Sequence, residues 1–348
     1  MKRNSDTTLT ALTPVSPFVY TRFTSAKINI TIILLLAIQF LLLAALGDFA
    51  ACINIMLAVL GSCFVEHLLQ YLTTQKIAFS LGAIITGLLI GFFMPSGIGF
   101  IFVFIISAFS IFISKSLFGG TGSNWINPAA LAICMAYISR PASFPPIISQ
   151  LAVLKEKGNM FAVLQASGFL RIKADFAVTS ALNSILLHGV GVTLPEGYIS
   201  LFIDSTSSVP AFRFNLITIL SSIVLFGLRA ADYVFPAVFT AVYGILIWIF
   251  AQVPVTGIYF SGDILAAYLT GGVLFAAVFI LTESSSAPKT KYGKAICGAL
   301  TGFLAFFICG AGASPAGIIF AIVLTNILTP LVEKMEIKIQ SLKRKRYE

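Results

Sequence analysis

Long apolar runs, nearly free of charge, recur from Ile28 to Val332 and are separated by short polar connections. So many runs of this length cannot all be buried inside one water-soluble globule, whose charged fraction is normally about a quarter. Here the charged fraction is 10% and the hydrophobic fraction 58%. In hydrocarbon, backbone N–H and C=O groups find no partner but each other, so each run is expected to be a helix. The fold class is therefore an all-α polytopic membrane protein.

Ten candidate spans are read: Ile28 to Leu46, Phe49 to Tyr71, Ala78 to Phe93, Ile98 to Ser114, Pro128 to Ile138, Phe214 to Leu228, Tyr233 to Phe250, Ile264 to Leu281, Gly293 to Cys309 and Gly317 to Val332. The polar stretch 1–27 is too long before the first run to be a cleaved signal and reads as a cytoplasmic tail. Placing both termini inside leaves only six of the 22 basic residues outside: Arg140, Lys155, Lys157, Arg171, Lys173 and Arg213. All six lie in or beside one long segment, 140–213, and long segments are translocated regardless of charge. The organisation expected is a first membrane repeat at 28–139, this extracytoplasmic segment, a second repeat at 214–332, and a basic cytoplasmic tail at 333–348. Localisation is the cytoplasmic (inner) membrane.

The net charge of +9 does not point to nucleic acid, because the basic residues sit at the termini and beside apolar runs, as the positive-inside rule requires. Five cysteines in or next to apolar segments, without CxxC spacing, exclude a disulfide framework, structural zinc and an iron-sulfur centre. No catalytic triad, carboxylate pair or metal cluster is present, so no catalytic or metal residues are assigned. Any reaction belongs to a cofactor that the protein orients.

Each five-span half holds an interrupted polar stretch on the cytoplasmic side, FGGTGSNWINPA (118–129) and TESSSAPKTKYGK (282–294). Irregular backbone beside a span is tolerated where it is buried or lines a cavity, and paired interruptions mark midplane sites in repeat-built membrane proteins. Gly119, Gly120 and Gly122 permit close approach of another group, Asn124 and Asn127 can cap, and Pro128 suits a first helical turn. A tight re-entrant turn and a ligand cradle both fit; no GK[ST] follows, so a P-loop does not.

Charges at membrane depth are expensive. Glu66 and His67 lie near the cytoplasmic end of the second span and read as interfacial anchors or as part of an ion pathway. Lys115, beside the glycine loop, is expected to snorkel or to pair with Glu283, the carboxylate best placed to hold a cation. Asp263 is expected to cap the eighth span, and His188 to be solvated in the external segment.

KSLFGGTGSNWINPAALAICMAYIS resembles the signature of the RnfD/NqrB family, membrane subunits of Rnf-type and sodium-pumping NADH:quinone oxidoreductases. TGLLIGFFMP (86–95), TESSSAPKTKYGKAICGALTGFLAFFI and SPAGIIFAIVLTNILTPLVEK (314–334) resemble further family segments in the same order. The resemblance implies ten helices in two repeats, a urea-channel-like fold, bound flavin, other Rnf/Nqr-type subunits and lipid as partners, and electron transfer coupled to Na+ or H+ movement. It also implies FMN joined through its phosphate to a Thr in an Asp-x-x-[Ser/Thr]-[Gly/Ser]-Ala-Thr motif. The matching stretch runs from Asp175 through Thr179, Ser180 and Ala181 to Leu182. Leu182 stands at the acceptor position and offers no hydroxyl, and Asp175 is one residue farther away than in the motif; a displaced attachment at Thr179 is the alternative. The resemblance makes Asp175, Thr179, Ser180 and Ala181 cofactor-binding candidates; the glycine loop adds Gly119, Gly120, Gly122 and Asn124 to that set, and the charges at membrane depth make Lys115, Glu283 and Glu66 the ion-pathway candidates. Two other functions stay open: a repurposed paralogue carrying a small solute or flavin, and a membrane scaffold without flavin.

Overall fold

A computed structural model describes residues 24–75, 80–117, 124–145, 172–187, 189, 193–194, 196–252, 263–283, 285–309 and 317–345. The first half comprises α1 (Ser25–Ala45), α2 (Phe49–Thr74), α3 (Leu81–Phe93), α4 (Phe100–Ile111, continued by a π-helical turn, Phe112–Ser116) and α5 (Pro128–Ser139). Between the halves stand α6 (Asp175–Leu182) and α7 (Tyr198–Ile203). The second half comprises α8 (Asn215–Gly227), α9 (Val234–Gln252), α10 (Ile264–Leu269), α11 (Val273–Phe275, continued by a π-helical stretch, Ala276–Ile280), α12 (Lys291–Cys309) and α13 (Gly317–Lys345). Every apolar run thus coincides with helix, and no strand occurs among the described residues. Helices α1, α2, α12 and α13 are long and apolar enough to cross a membrane unaided, and several others are shorter apolar helices.

Helix starts are marked by short polar side chains that accept from first-turn N–H groups, which have no partner within the helix. Asp48 caps α2 through Ala51 N at 3.2 Å, Asn127 caps α5 through Ala130 N at 3.0 Å, and Thr290 caps α12 through Gly293 N at 2.9 Å. Asp263 caps α10 through Ala266 N at 2.8 Å, as expected from its position.

One expectation needs correction. The eighth run is not one helix: Gly271 (φ 64°) and Gly272 (φ 67°) are left-handed and separate α10 from α11. A Cβ at Gly272 would stand 2.6 Å from the Phe212 ring, so the break accommodates a close approach as well as a turn. At the basic end, α13 runs on as helix to Lys345.

Lipid is as apolar as a helix surface, so association inside a bilayer depends on close packing at small residues. In α3, Gly87 and Gly91 lie against the α2 backbone, where an added Cβ would be 2.4 Å from Val59 Cα and 2.5 Å from Ile55 Cα. Gly298 and Gly302 let α12 approach α9 in the same way. The halves meet at a phenylalanine cluster, in which Phe275 lies 5.5 Å from Phe92 and 5.6 Å from Phe93, and Phe93 meets Phe212 edge-on at 6.0 Å. Gln39 of α1 also donates to Thr218 of α8 at 3.3 Å. Outward, Leu34, Ile38 and Leu41 on α1 and Met56, Leu60 and Phe64 on α2 are exposed, a surface that hydrocarbon or a partner helix must cover.

Candidate functional site

The two polar interruptions meet. Asn127 is bifunctional: its Oδ1 caps α5 while its Nδ2 donates to the Ile280 carbonyl at 3.2 Å, in the π-helical end of α11. Asn124 is buried and its Nδ2 donates to Ser285 Oγ at 3.4 Å, and that hydroxyl donates to Glu283 Oε1 at 2.8 Å. A relay Asn124–Ser285–Glu283 therefore joins the connection after α4 to the connection after α11. Among the described residues, Asn124 Oδ1 is buried without a hydrogen-bond partner, an arrangement that costs about 1–3 kcal/mol unless something donates to it.

Beside this relay lies a buried ion pair. Lys115, in the π-helical turn of α4, donates to Glu66 Oε2 at 2.7 Å, with the side chains 8% and 7% exposed. Ser80 donates to Glu66 Oε1 at 2.5 Å while its oxygen also caps α3 through Ala83 N. This corrects the expected pairing: the partner of Lys115 is Glu66, because packing of α4 on α2 brings the two together, and Glu283 is met by Ser285 instead. Glu66 is accordingly no interfacial anchor. His67, one residue on, is only partly buried and its Nδ1 bonds the Cys63 carbonyl at 2.6 Å.

Glu283 is partly buried. Burial pushes its carboxyl above the usual range, and the Ser285 hydrogen bond and the Lys115 charge pull it back. With one ammonium and two carboxylates, the cluster has a surplus acceptor that could hold a proton or a cation. Of the sequence-predicted residues, Asn124, Lys115, Glu283 and Glu66 are brought into this region; Gly119, Gly120 and Gly122 lie outside the described residues. Ser80 carries no recognisable sequence signal, and Ser285 lies inside the polar stretch 282–294 without a pattern that singles it out.

The remaining predicted residues stand elsewhere, on α6. Asp175 is fully buried and accepts from Gly197 N at 2.6 Å, Ser200 N at 2.8 Å and Ser200 Oγ at 2.7 Å. Thr179 is 2% exposed and donates to Asp175 Oδ1 at 3.4 Å. Ser180 and Ala181 are exposed, and Ser180 donates to the Ala177 carbonyl at 3.0 Å. His188 lies outside the described residues. The α7 end is fastened to the membrane helices by Arg213, which chelates both Asp204 oxygens at 2.9 Å and reaches Asp48 Oδ2 at 3.0 Å. Among the described residues no group of three metal-ligating side chains forms.

Comparison with known proteins matches the sequence to a family. Residues 12–341 match the family described as NQR2, RnfD, RnfE. The chain is 26% identical over 335 residues to the D-type subunit of the ion-translocating oxidoreductase complex of Sodalis glossinidius, covering 91% of this chain and 95% of that one. It is 27% identical over 305 residues to the protein of the same name from Escherichia fergusonii, covering 81% and 84%. The Salmonella enteritidis protein of that name is 27% identical over 301 residues, covering 80% and 84%. With its membrane-length apolar helices and this match over nearly its whole length, the chain is a multi-pass membrane protein belonging to the NQR2, RnfD, RnfE family.

Proposed function

We propose that the chain is the D-type membrane subunit of an Rnf-like ion-translocating oxidoreductase complex of the inner membrane, working with other membrane and flavin subunits. In this reading the apolar helices form ten spans in two five-helix repeats of urea-channel-like fold, with both termini cytoplasmic. The site end of the bundle then faces the cytoplasm, and α6 and α7 lie outside. The chain holds FMN without a covalent bond beside Asn124, and it couples electron transfer to Na+ or H+ movement.

The observation that carries this reading is the buried, unpartnered Asn124 Oδ1 beside the Glu66, Lys115 and Glu283 charges. A carboxamide oxygen is an acceptor that a flavin ring N–H can meet, so Asn124 fits the group as a hydrogen-bonding contact. When bound, FMN would accept and pass on electrons, chemistry no side chain of this chain supplies. The protein's part is to orient the ring through Asn124, to keep water away by burial, and to hold compensating charge on Lys115, Glu66 and Glu283. Glu283, with Ser285 as its donor, is the group proposed to take up and release the proton or cation.

The alternative, a small-solute channel, is less well supported, because the halves meet at the Phe92, Phe93, Phe212 and Phe275 rings in place of a polar passage. The deciding measurement is flavin content. The complex purified with the chain should release FMN on acid denaturation; the Asn124→Leu variant should assemble but release much less. Equal FMN in both would remove Asn124 from the proposal.

A further inference from the structure

We infer that the α6 segment of this chain is a structural latch and not a flavin attachment site. The inference draws on the family reading only for the group that the segment is expected to carry; the geometry decides against it. Attachment of a flavin phosphate needs an accessible side-chain hydroxyl, with neighbouring polar groups free to meet the phosphate. No matching residue meets both needs. Leu182 has no hydroxyl. Thr179 has one, but it is 2% exposed and engaged with Asp175. Ser180 is exposed, but its hydroxyl donates back to the Ala177 carbonyl of its own helix. Asp175 is fully buried, and its carboxylate oxygens are used on Gly197 N, Ser200 N and Ser200 Oγ. A phosphate approaching this carboxylate would meet like charge.

The same contacts define what the segment does. Asp175, at the first position of α6, meets the N–H groups that open α7, so one carboxylate binds two helix starts that are 22–25 residues apart in sequence. Ser200 completes the joint by accepting from Ile172 N at 3.0 Å. Asn183, just beyond α6, both accepts from Leu194 N at 2.8 Å and donates to Leu194 O at 2.9 Å, closing the connection on itself. From α7 the joint continues into the membrane helices: Asn215 Nδ2 donates to Leu201 O and to Leu269 O, each at 2.8 Å. The segment is thus fixed to α8 and α10 through a chain of buried hydrogen bonds that begins at Asp175. In this chain the carboxylate serves the fold, and the threonine is buried against it.

The test uses the full chain, produced with its companion subunits and a flavin transferase. Denatured protein is read for ultraviolet fluorescence in a gel, and the peptide covering 172–187 is weighed by mass spectrometry. An unmodified peptide is expected, with any flavin released to the supernatant. A flavin mass on Thr179, Ser180 or Ser184 would overturn the inference while leaving the flavoprotein reading intact. An unmodified peptide with no flavin in either fraction would support the inference and defeat the proposed cofactor. The second arm reads structure: Asp175→Asn, which loses the charged acceptor, should speed proteolytic cleavage within 172–213 about tenfold, whereas Thr179→Val should leave it nearly unchanged. Cleavage of Asp175→Asn at the unmodified rate would show that the carboxylate is no latch.

Discussion

The Lys115 ammonium lies 2.7 Å from the Glu66 carboxylate, with both side chains more than nine-tenths buried. The pair joins α2 to α4 at the end of the bundle that holds the polar connections, and Ser80 ties α3 into it. Breaking one side of a buried pair leaves an uncompensated charge, at a cost of about 3–5 kcal/mol, while replacing both sides can be nearly neutral. Glu66→Gln and Lys115→Met should each lower the thermal midpoint in detergent clearly. The double variant should recover most of the loss while still lacking ion-coupled activity. A double variant as unstable as the sum of the singles would mean the two residues act independently.

The contact between α3 and α2 gives a second expectation. An alanine at Gly87 would put its Cβ 2.4 Å from Val59 Cα, which is backbone and cannot rotate away. Gly87→Ala should destabilise the chain by about 1–3 kcal/mol, the usual range for overpacking. Gly97→Ala serves as the control, since a Cβ there meets nothing within 4 Å. Equal midpoints for the two variants would remove close packing as the reason for the glycine.

Arg213 gives a third. Its guanidinium reaches both oxygens of Asp204 and one of Asp48, and Asp48 also caps α2. The Asp204 and Asp48 hydrogen bonds and charges outweigh desolvation and hold the guanidinium firmly protonated. A lysine keeps the charge but cannot present the planar fork. Arg213→Lys is therefore expected to lose a substantial part of the stability that Arg213→Met loses in full, read as faster proteolysis of the 172–213 segment. A lysine variant that behaves as the unmodified chain would show that charge alone suffices.

Much of this architecture is legible in the sequence, because hydrocarbon allows apolar runs few structures and the helix caps are local in the chain. Asn127 before Pro128 and Asp263 before Ile264 announce helix starts within three residues. The break at Gly271 and Gly272 is also written in the sequence, but the flanking apolar residues on both sides read as one run. Pairings are harder. Glu66 and Glu283 are equally apt partners for Lys115 on chemical grounds, and the choice between them depends on how α4 packs on α2, a contact 49 residues apart. The partners of Asp175 are hidden for a related reason: its motif is local, whereas Gly197 and Ser200, which meet its carboxylate, are 22 and 25 residues away.

Sidedness provides the last expectation. The basic residues assign the connection before α12 to the cytoplasm and α6 to the outside, and the structure supplies exposed positions at each: Tyr292 is 81% exposed and Ile185 is 76% exposed. The native cysteines interfere little, since all but Cys63 are buried. With Cys63 replaced by serine, Ile185→Cys should react with a membrane-impermeant maleimide in intact cells, and Tyr292→Cys only after the membrane is opened. Both side chains point away from the packed interior, so both variants should assemble normally. The reverse pattern would invert the topology and place the Glu66–Lys115 pair at the outer face. Labelling of both positions in intact cells would mean an odd number of crossings between Ile185 and Tyr292 is wrong, and the five-plus-five arrangement with it.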